Sequence, residues 1–167
     1  PIEKIDRLAL DEGSRTSAAL IQILLAERFG VRPTLQPLPL GVPVYESLAD
    51  AILVIGDRAM HVSPREFDVV WDLGREWKNW TGLPFVFAVW GALPEWDSHR
   101  VTDALGQARD LGVSRLEEIA EREAPRLGIA REQASIYLRE NLHFRLGIEE
   151  RKGFERFHQL AAKWGLV

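Results

Sequence analysis

Apolar and polar residues in the first part of the chain form one short run followed by a helical pattern. Residues 8–10 (LAL) predict a short strand that ends at Asp11. A helix is predicted from about Arg15 to Phe29, because apolar residues recur there at i, i+4 spacing and form one packing face. Gly30 follows, in the position that commonly ends a helix.

Further apolar runs bounded by turn residues predict more strands. The proline-rich residues 31–43 predict an extended edge segment followed by a loop. Residues 51–57 (AILVIGD) predict a strand buried on both faces, and residues 67–74 (FDVVWDLG) a second one. A short helix is predicted over residues 75–82, before a third strand over residues 83–92. Strands alternating with helices predict an α/β lobe.

The remainder of the chain has helical periodicity, and no strand is predicted in it. Ser114 and Glu117 have the spacing of a capping box. These amphipathic helices need an apolar surface, which they find on one another or on a sheet from another part of the protein or another chain. The helices are predicted over residues 96–111, 114–123, 131–142 and 148–164.

Composition excludes several classes of function. The chain has 167 residues and a net charge of −4, which gives no basic footprint for nucleic acid. It has no cysteine, so disulfides and thiolate metal sites are impossible, and its histidines lack zinc-site spacing. No apolar stretch approaches the roughly 20 residues that span a bilayer, and no signal peptide is visible, so a cytoplasmic protein is predicted.

The segment GSRTS before the first long helix is a candidate anion site. Ser14 is a good N-cap, after which the amides of Thr16, Ser17 and Ala18 would face a ligand beside the Thr16 and Ser17 hydroxyls. The helix dipole and Arg15 add positive charge, which suits a carboxylate or phosphate. The same pattern is also typical of a plain helix cap with an exposed arginine.

Two further groups of residues follow predicted strands. Gly56 lets a ligand approach the backbone, and Asp57 follows it at the same sheet edge as the GSRTS segment, unless it only caps the next short helix. After the next predicted strand, Trp77 and Trp80 either line a pocket or belong to the core. Asp72 and Gly74 stand beside them.

Three segments occur in the order and spacing of a known family. They are LALDEGSRTSAALIQILL at residues 8–25, ADAILVIGDRAM at 49–60 and WDLGREWKNWTGLPFVFAVW at 71–90. Together with YLRENLHFRLGIEERKGFERF at residues 137–157, they resemble the chorismate dehydratases of the futalosine route to menaquinone. The 1,4-dihydroxy-6-naphthoate synthases of the same pathway are similar, but the SRTS and TGLPFVFAVW segments favour the dehydratases.

The resemblance implies an α/β fold like that of type II periplasmic binding proteins, in which two lobes clamp a ligand. Residues 1–82 would be the second lobe, 83–92 the return crossing strand, and 93–167 helices that pack on a first lobe. The first-lobe segment of the family is not in this sequence, which begins at Pro1 and has its one methionine at Met60. We therefore expect a C-terminal portion that associates with that segment or forms a homodimer.

The resemblance also implies an activity, the dehydration of chorismate to 3-[(1-carboxyvinyl)oxy]benzoate, without metal or cofactor. Ser14, Arg15, Thr16 and Ser17 would bind one substrate carboxylate. Gly56 and Asp57 would contact the substrate, with Asp57 the one candidate catalytic residue. Neither nucleic acid nor a membrane is expected as a partner. The alternatives are a clamp that binds a small carboxylate without catalysis and the naphthoate synthase, whose ligand is bulkier.

Overall fold

The computed structural model describes residues 1–91, 93 and 98–166. It divides into two compact units. The α/β unit comprises Pro1–Ala88 and Gly147–Val167, and the helical unit comprises Val89–Leu146.

The α/β unit is built on a parallel sheet of three short strands. The strands are β1 (Arg7–Asp11), β2 (Thr34–Leu38) and β3 (Ala51–Leu53), in the order β2-β1-β3. The central strand pairs Leu8 with Leu35 on one side and with Ala51 on the other. The predicted strand at residues 8–10 and the predicted edge segment are therefore confirmed, whereas β3 is shorter than the seven-residue run AILVIGD that predicted it.

Helix α1 (Arg15–Phe29) is formed and capped as its sequence predicts. The Ser14 hydroxyl accepts a hydrogen bond from the Ser17 amide at 3.0 Å. At the other end Gly30 has φ 67°, a left-handed conformation that glycine adopts without steric cost, and its amide donates to the last turn. The short α2 (Gly56–Met60) follows β3, and α3 (Leu73–Thr81) is capped by Asp72.

The core of the α/β unit lies where α1, α3 and the last helix, α7 (Ile148–Lys163), pack together. Trp77 is fully buried among aromatic rings, so the core interpretation of this residue is confirmed. Because α7 contacts α1, this last helix has a partner within the described chain, while the division at residues 82 and 92 stays a prediction. The buried residues of this cluster are Ala19, Leu20, Ile23, Leu24, Trp77, Phe157, Leu160 and Ala161, and a second buried cluster consists of Leu8, Ile21, Leu25 and Leu53.

Two predicted strands are wrong. Residues 67–72 have no regular secondary structure, and Val69 and Val70 are exposed. Residues 83–91 form no strand either, and Ala92, the end of that prediction, lies outside the described residues. A strand needs a partner for its ladder, and neither segment pairs with a strand of the sheet, so apolar β-branched residues alone do not make these segments strands.

The helical unit contains three α-helices among its described residues. They are α4 (Ser98–Val113), α5 (Leu116–Leu127) and α6 (Arg131–Ile136), which continues into a π-helical turn at Tyr137–Asn141. The predicted start of α4 at residues 96 and 97 lies outside the described residues. Among the described residues of this unit, the buried ones are the alanines Ala120, Ala124 and Ala134.

The capping box predicted at Ser114 and Glu117 is wrong. Helix α5 begins one residue later than that box requires, with Arg115 at its N-cap. Ser114 instead donates to the Leu111 carbonyl at the end of α4, at 2.7 Å. The Glu117 carboxylate instead accepts hydrogen bonds from Ser135 and Arg139.

None of the described helices is long and apolar enough to cross a membrane.

Candidate functional site

The site is built at the carboxyl edge of the sheet, where parallel strands bring their following loops together. Asp11, the last residue of β1, is buried, and its side chain has no exposed surface. Its Oδ1 accepts a hydrogen bond from the Gly13 amide at 3.0 Å. The buried carboxylate therefore fixes the turn that leads into α1.

Arg58, in α2, supplies the opposite charge. Its Nη1 lies 3.2 Å from Asp11 Oδ2, and its Nη2 donates to the Val42 carbonyl at 2.8 Å. Since Val42 lies in the loop after β2, one guanidinium links the segments that follow all three strands. A burial cost for Asp11 is offset by this ion pair and by the Gly13 amide.

The N-terminus of α1 offers donors, but not all of those that the sequence predicts. The Ser17 amide is taken by the Ser14 hydroxyl, and helical bonding directs the Ala18 amide to the Ser14 carbonyl. In the described part of the chain, no acceptor meets the Arg15 and Thr16 amides. These two amides are the backbone donors that remain for an anion.

Side-chain hydroxyls stand beside those amides. Ser17 is only 6% exposed and Thr16 is half-buried, and neither hydroxyl has a hydrogen-bond partner among the described residues. Arg15 is exposed, and it forms no ion pair with any residue in the described ranges. The arrangement supplies neutral donors close to the backbone and one positive charge at the rim.

Gly56 and Asp57 lie at the same edge of the sheet as the start of α1. Gly56 has φ 56°, so the backbone turns there in a conformation that favours glycine, and both residues are exposed. Asp57 makes no capping hydrogen bond, because the N-cap of α2 is Ile55, so the interpretation of Asp57 as a helix cap is wrong. The neighbouring Arg58 brings this turn to Asp11.

The other candidates serve the structure. Asp72 caps α3 by accepting from the Arg75 amide at 2.8 Å. Gly74 lies against Phe87, and Trp77 and Trp80 pack edge to face at 5.8 Å between ring centroids. Nothing in these contacts makes a polar site.

Sequence reasoning missed the pair of Asp11 and Arg58. The only local signals are an aspartate at a strand end and an arginine directly after Asp57. Because the two residues are 47 positions apart, only the strand order brings them together. The described residues contain no group of three or more metal-ligating side chains.

A second polar cluster lies in the helical unit, around Glu117. Its carboxylate accepts from Ser135 at 2.6 Å and from Arg139 at 2.8 Å. These hydrogen bonds, the one from Ser135 first, hold the pKa of Glu117 below its ordinary value. The cluster ties α5 to α6 and to the turn that follows, so every strong donor around the carboxylate is already used by the chain itself.

Comparison with known proteins shows the family. A family described as menaquinone biosynthesis matches residues 1–163. Chorismate dehydratase from Thermus thermophilus is 36% identical over 168 aligned residues, covering 90% of this chain. The chain spans about 61% of the length of that curated relative. The resemblance seen in the sequence is thereby confirmed, and the chain belongs to the menaquinone biosynthesis family.

Proposed function

We propose that the full-length protein dehydrates chorismate to 3-[(1-carboxyvinyl)oxy]benzoate in menaquinone biosynthesis. The family match and the similarity to a protein named chorismate dehydratase support the reaction. This chain would supply one wall of the site. A cytoplasmic location stays a prediction.

The reaction removes one water molecule. A ring C–H bond gives up its proton, its electron pair enters the ring, and the C–O bond of a ring hydroxyl breaks to release water. Aromatisation supplies much of the driving force, so the protein has to bind a dianion, orient it and provide a proton acceptor and donor. A carboxylate of the substrate is itself able to accept the proton, and no side chain of this chain is assigned that role.

The observation that carries the site is the open N-terminus of α1. The Arg15 and Thr16 amides and the Thr16 and Ser17 hydroxyls have no acceptor or partner in the described chain. Four neutral donors at the positive end of a 15-residue helix suit one substrate carboxylate. Arg15 adds a charge that also attracts the second carboxylate of chorismate.

Asp57 takes a different part in the proposal. Its exposed carboxylate would repel a substrate carboxylate, so we assign it to a substrate hydroxyl, which it holds by accepting a hydrogen bond. Gly56 leaves room for the substrate beside the backbone, since an added Cβ there meets nothing within 4 Å.

For the full-length protein we propose the two-lobed fold of type II periplasmic binding proteins. In this proposal residues 1–82 form the second lobe, 83–92 return to the first lobe, and the helices of 93–167 that precede α7 pack on it, since α7 packs on α1. Support comes from α4, where Val101 and Leu111 of the predicted apolar stripe are 38% and 53% exposed. Size-exclusion chromatography of this chain alone tests the packing: a compact, non-associating monomer would count against it.

The activity is tested with the full-length protein and chorismate. We expect conversion to an aromatic product, followed by absorbance and identified by mass, as with the Thermus thermophilus relative run in parallel. Saturable binding of chorismate without product would instead support a non-catalytic clamp. Absence of both would overturn the proposal, and turnover of a cyclic futalosine derivative would point to the naphthoate synthase.

A further inference from the structure

We propose that Asp11 and Arg58 are positioning residues for the substrate carboxylate bound at the start of α1. This inference rests on the function proposed above. Neither residue touches the substrate. They act by holding the turn at Gly13 and Ser14, and thereby the Arg15 and Thr16 amides, in one orientation.

The turn is attached to Asp11 by two hydrogen bonds. The Gly13 amide donates to the buried Asp11 side chain at 3.0 Å, and the Ser14 amide donates to the Asp11 carbonyl at 3.4 Å. These two bonds precede the cap formed between Ser14 and Ser17. The direction of the first helical amides therefore depends on where the Asp11 carboxylate sits.

Arg58 in turn holds the Asp11 carboxylate in place. The guanidinium donates to Asp11 with one nitrogen and to the Val42 carbonyl with the other, so it cannot rotate without losing a bond. Lysine is a point charge without this fork and reaches both acceptors less well. Without Arg58, a side chain with no exposed surface would hold an unpaired charge and would shift toward water.

The turn itself is tightly packed around Gly13. A Cβ added at Gly13 would lie 3.2 Å from Asp11 Oδ1 and 3.3 Å from the Ile55 side chain. The turn is thus held from both sides, and a small displacement of Asp11 is passed on to it. Movements of about 1 Å in a binding group are enough to change substrate handling strongly.

The experiment measures kcat and KM for chorismate in the full-length Arg58→Gln variant. Arg28→Gln is the matched control. Arg28 lies in the last turn of α1, its side chain is 26% exposed against 23% for Arg58, and it forms a partly buried ion pair with Glu76 of α3. We expect KM to rise about tenfold in Arg58→Gln with kcat within about threefold, since binding of a remote carboxylate is shared by ground and transition states. Arg28→Gln should leave KM within about twofold of the wild-type value.

A raised KM with a nearly unchanged kcat distinguishes a positioning role from an effect on stability alone. A purely structural role lowers the amount of folded enzyme, which reduces apparent kcat and leaves KM unchanged. Arg58→Lys should recover part of the lost affinity, and Gly13→Ala should raise KM without changing any charge. These two variants replace Arg58→Gln if it does not fold, and an unchanged KM in the folded variants overturns the inference. A wild-type protein that does not turn over chorismate overturns the proposed function instead, before any variant is compared.

Discussion

The α/β unit and the helical unit are held together by different kinds of contact. In the first, Leu20, Leu24 and Trp77 are fully buried, and large apolar side chains from α1, α3 and α7 form one core. In the described part of the second, the buried residues are three alanines, each of which removes little apolar surface from water. The α/β unit has a core of its own, whereas the helical unit has little more than close helix contacts.

The ion pairs of the two units also differ in how far their side chains are buried. The α/β unit contains an ion pair between the buried Asp11 carboxylate and the partly buried Arg58 guanidinium. The helical unit relies on exposed carboxylates, such as Glu117 with Arg139 and Asp110 with Arg145. Exposed pairs of this kind contribute little to stability individually. The donors at the start of α1 therefore belong to the unit with the larger apolar core, and an anion site needs donors that are held in one geometry.

The largest expected effect is the truncation of a core leucine. Leu24→Ala in the α/β unit should lower the free energy of unfolding by about 3 to 4 kcal/mol, because the side chain is fully buried. Leu111→Ala in α4, where the side chain is 53% exposed, should cost less than about 1 kcal/mol. Urea unfolding of this chain on its own measures both, because packing of α4 on a first lobe, as proposed above, would bury Leu111 in the full-length protein. Equal losses would remove the distinction between the units.

A pair of glycine substitutions sharpens the comparison. In α7, a Cβ at Gly153 would overlap the Pro84 carbonyl, which is backbone and cannot move away cheaply, so Gly153→Ala should cost about 2 kcal/mol. In α4, a Cβ at Gly106 meets only the end of the Arg109 side chain. Gly106→Ala should therefore stabilise the helix by about 0.5 to 1 kcal/mol. The melting temperatures of the two variants measure both effects, and shifts in the same direction would contradict this account.

Two serines predicted as helix caps give a smaller contrast. Ser14→Ala should cost about 1 kcal/mol, because the Ser14 hydroxyl caps the Ser17 amide. Ser114→Ala should stay within about 0.5 kcal/mol, because Ser114 only donates to the Leu111 carbonyl at the end of α4. A cost at Ser114 as large as that at Ser14 would mean that the predicted capping box forms after all.

The smallest expected effect depends on pH. Hydrogen bonds from Ser135 and Arg139 lower the pKa of Glu117 below its ordinary 4.5, so its stabilising contribution is present above that value and is lost as the pH falls through the lowered pKa. Glu117→Gln should therefore lower the melting temperature slightly at about pH 7, and this difference should shrink at an acidic pH below 4.5. A larger effect at the acidic pH than at the neutral one would contradict this sign.

Local signals in the sequence predicted α1 well. Its apolar spacing, Ser14 and Gly30 act within one or two turns, and the observed bounds Arg15–Phe29 match. Gly82 ends α3 in the same way, whereas the capping role of Asp72 was not predicted. Helix ends are set by neighbouring residues, which explains why these predictions are confirmed.

Features that depend on distant partners were not predictable in the same way. Residues 67–74 and 83–91 have the composition of strands, but a strand also needs a neighbour with which to form a ladder. The Asp11–Arg58 pair arises only when β1 and β3 lie side by side. The candidate residues Ser14 to Ser17 came from a local pattern, while the pair that holds them in place came from the fold.

The central claim is that the start of α1 binds a carboxylate of chorismate. Its most direct test is the KM for chorismate of the full-length Thr16→Ala/Ser17→Ala double variant, which keeps the Ser14 cap intact. Two lost hydrogen bonds to a charged group predict a KM about 100-fold higher, with an unchanged melting temperature. A double variant that turns over chorismate with the KM of the wild type would contradict the claim and leave Ser14 to Ser17 as a helix cap alone.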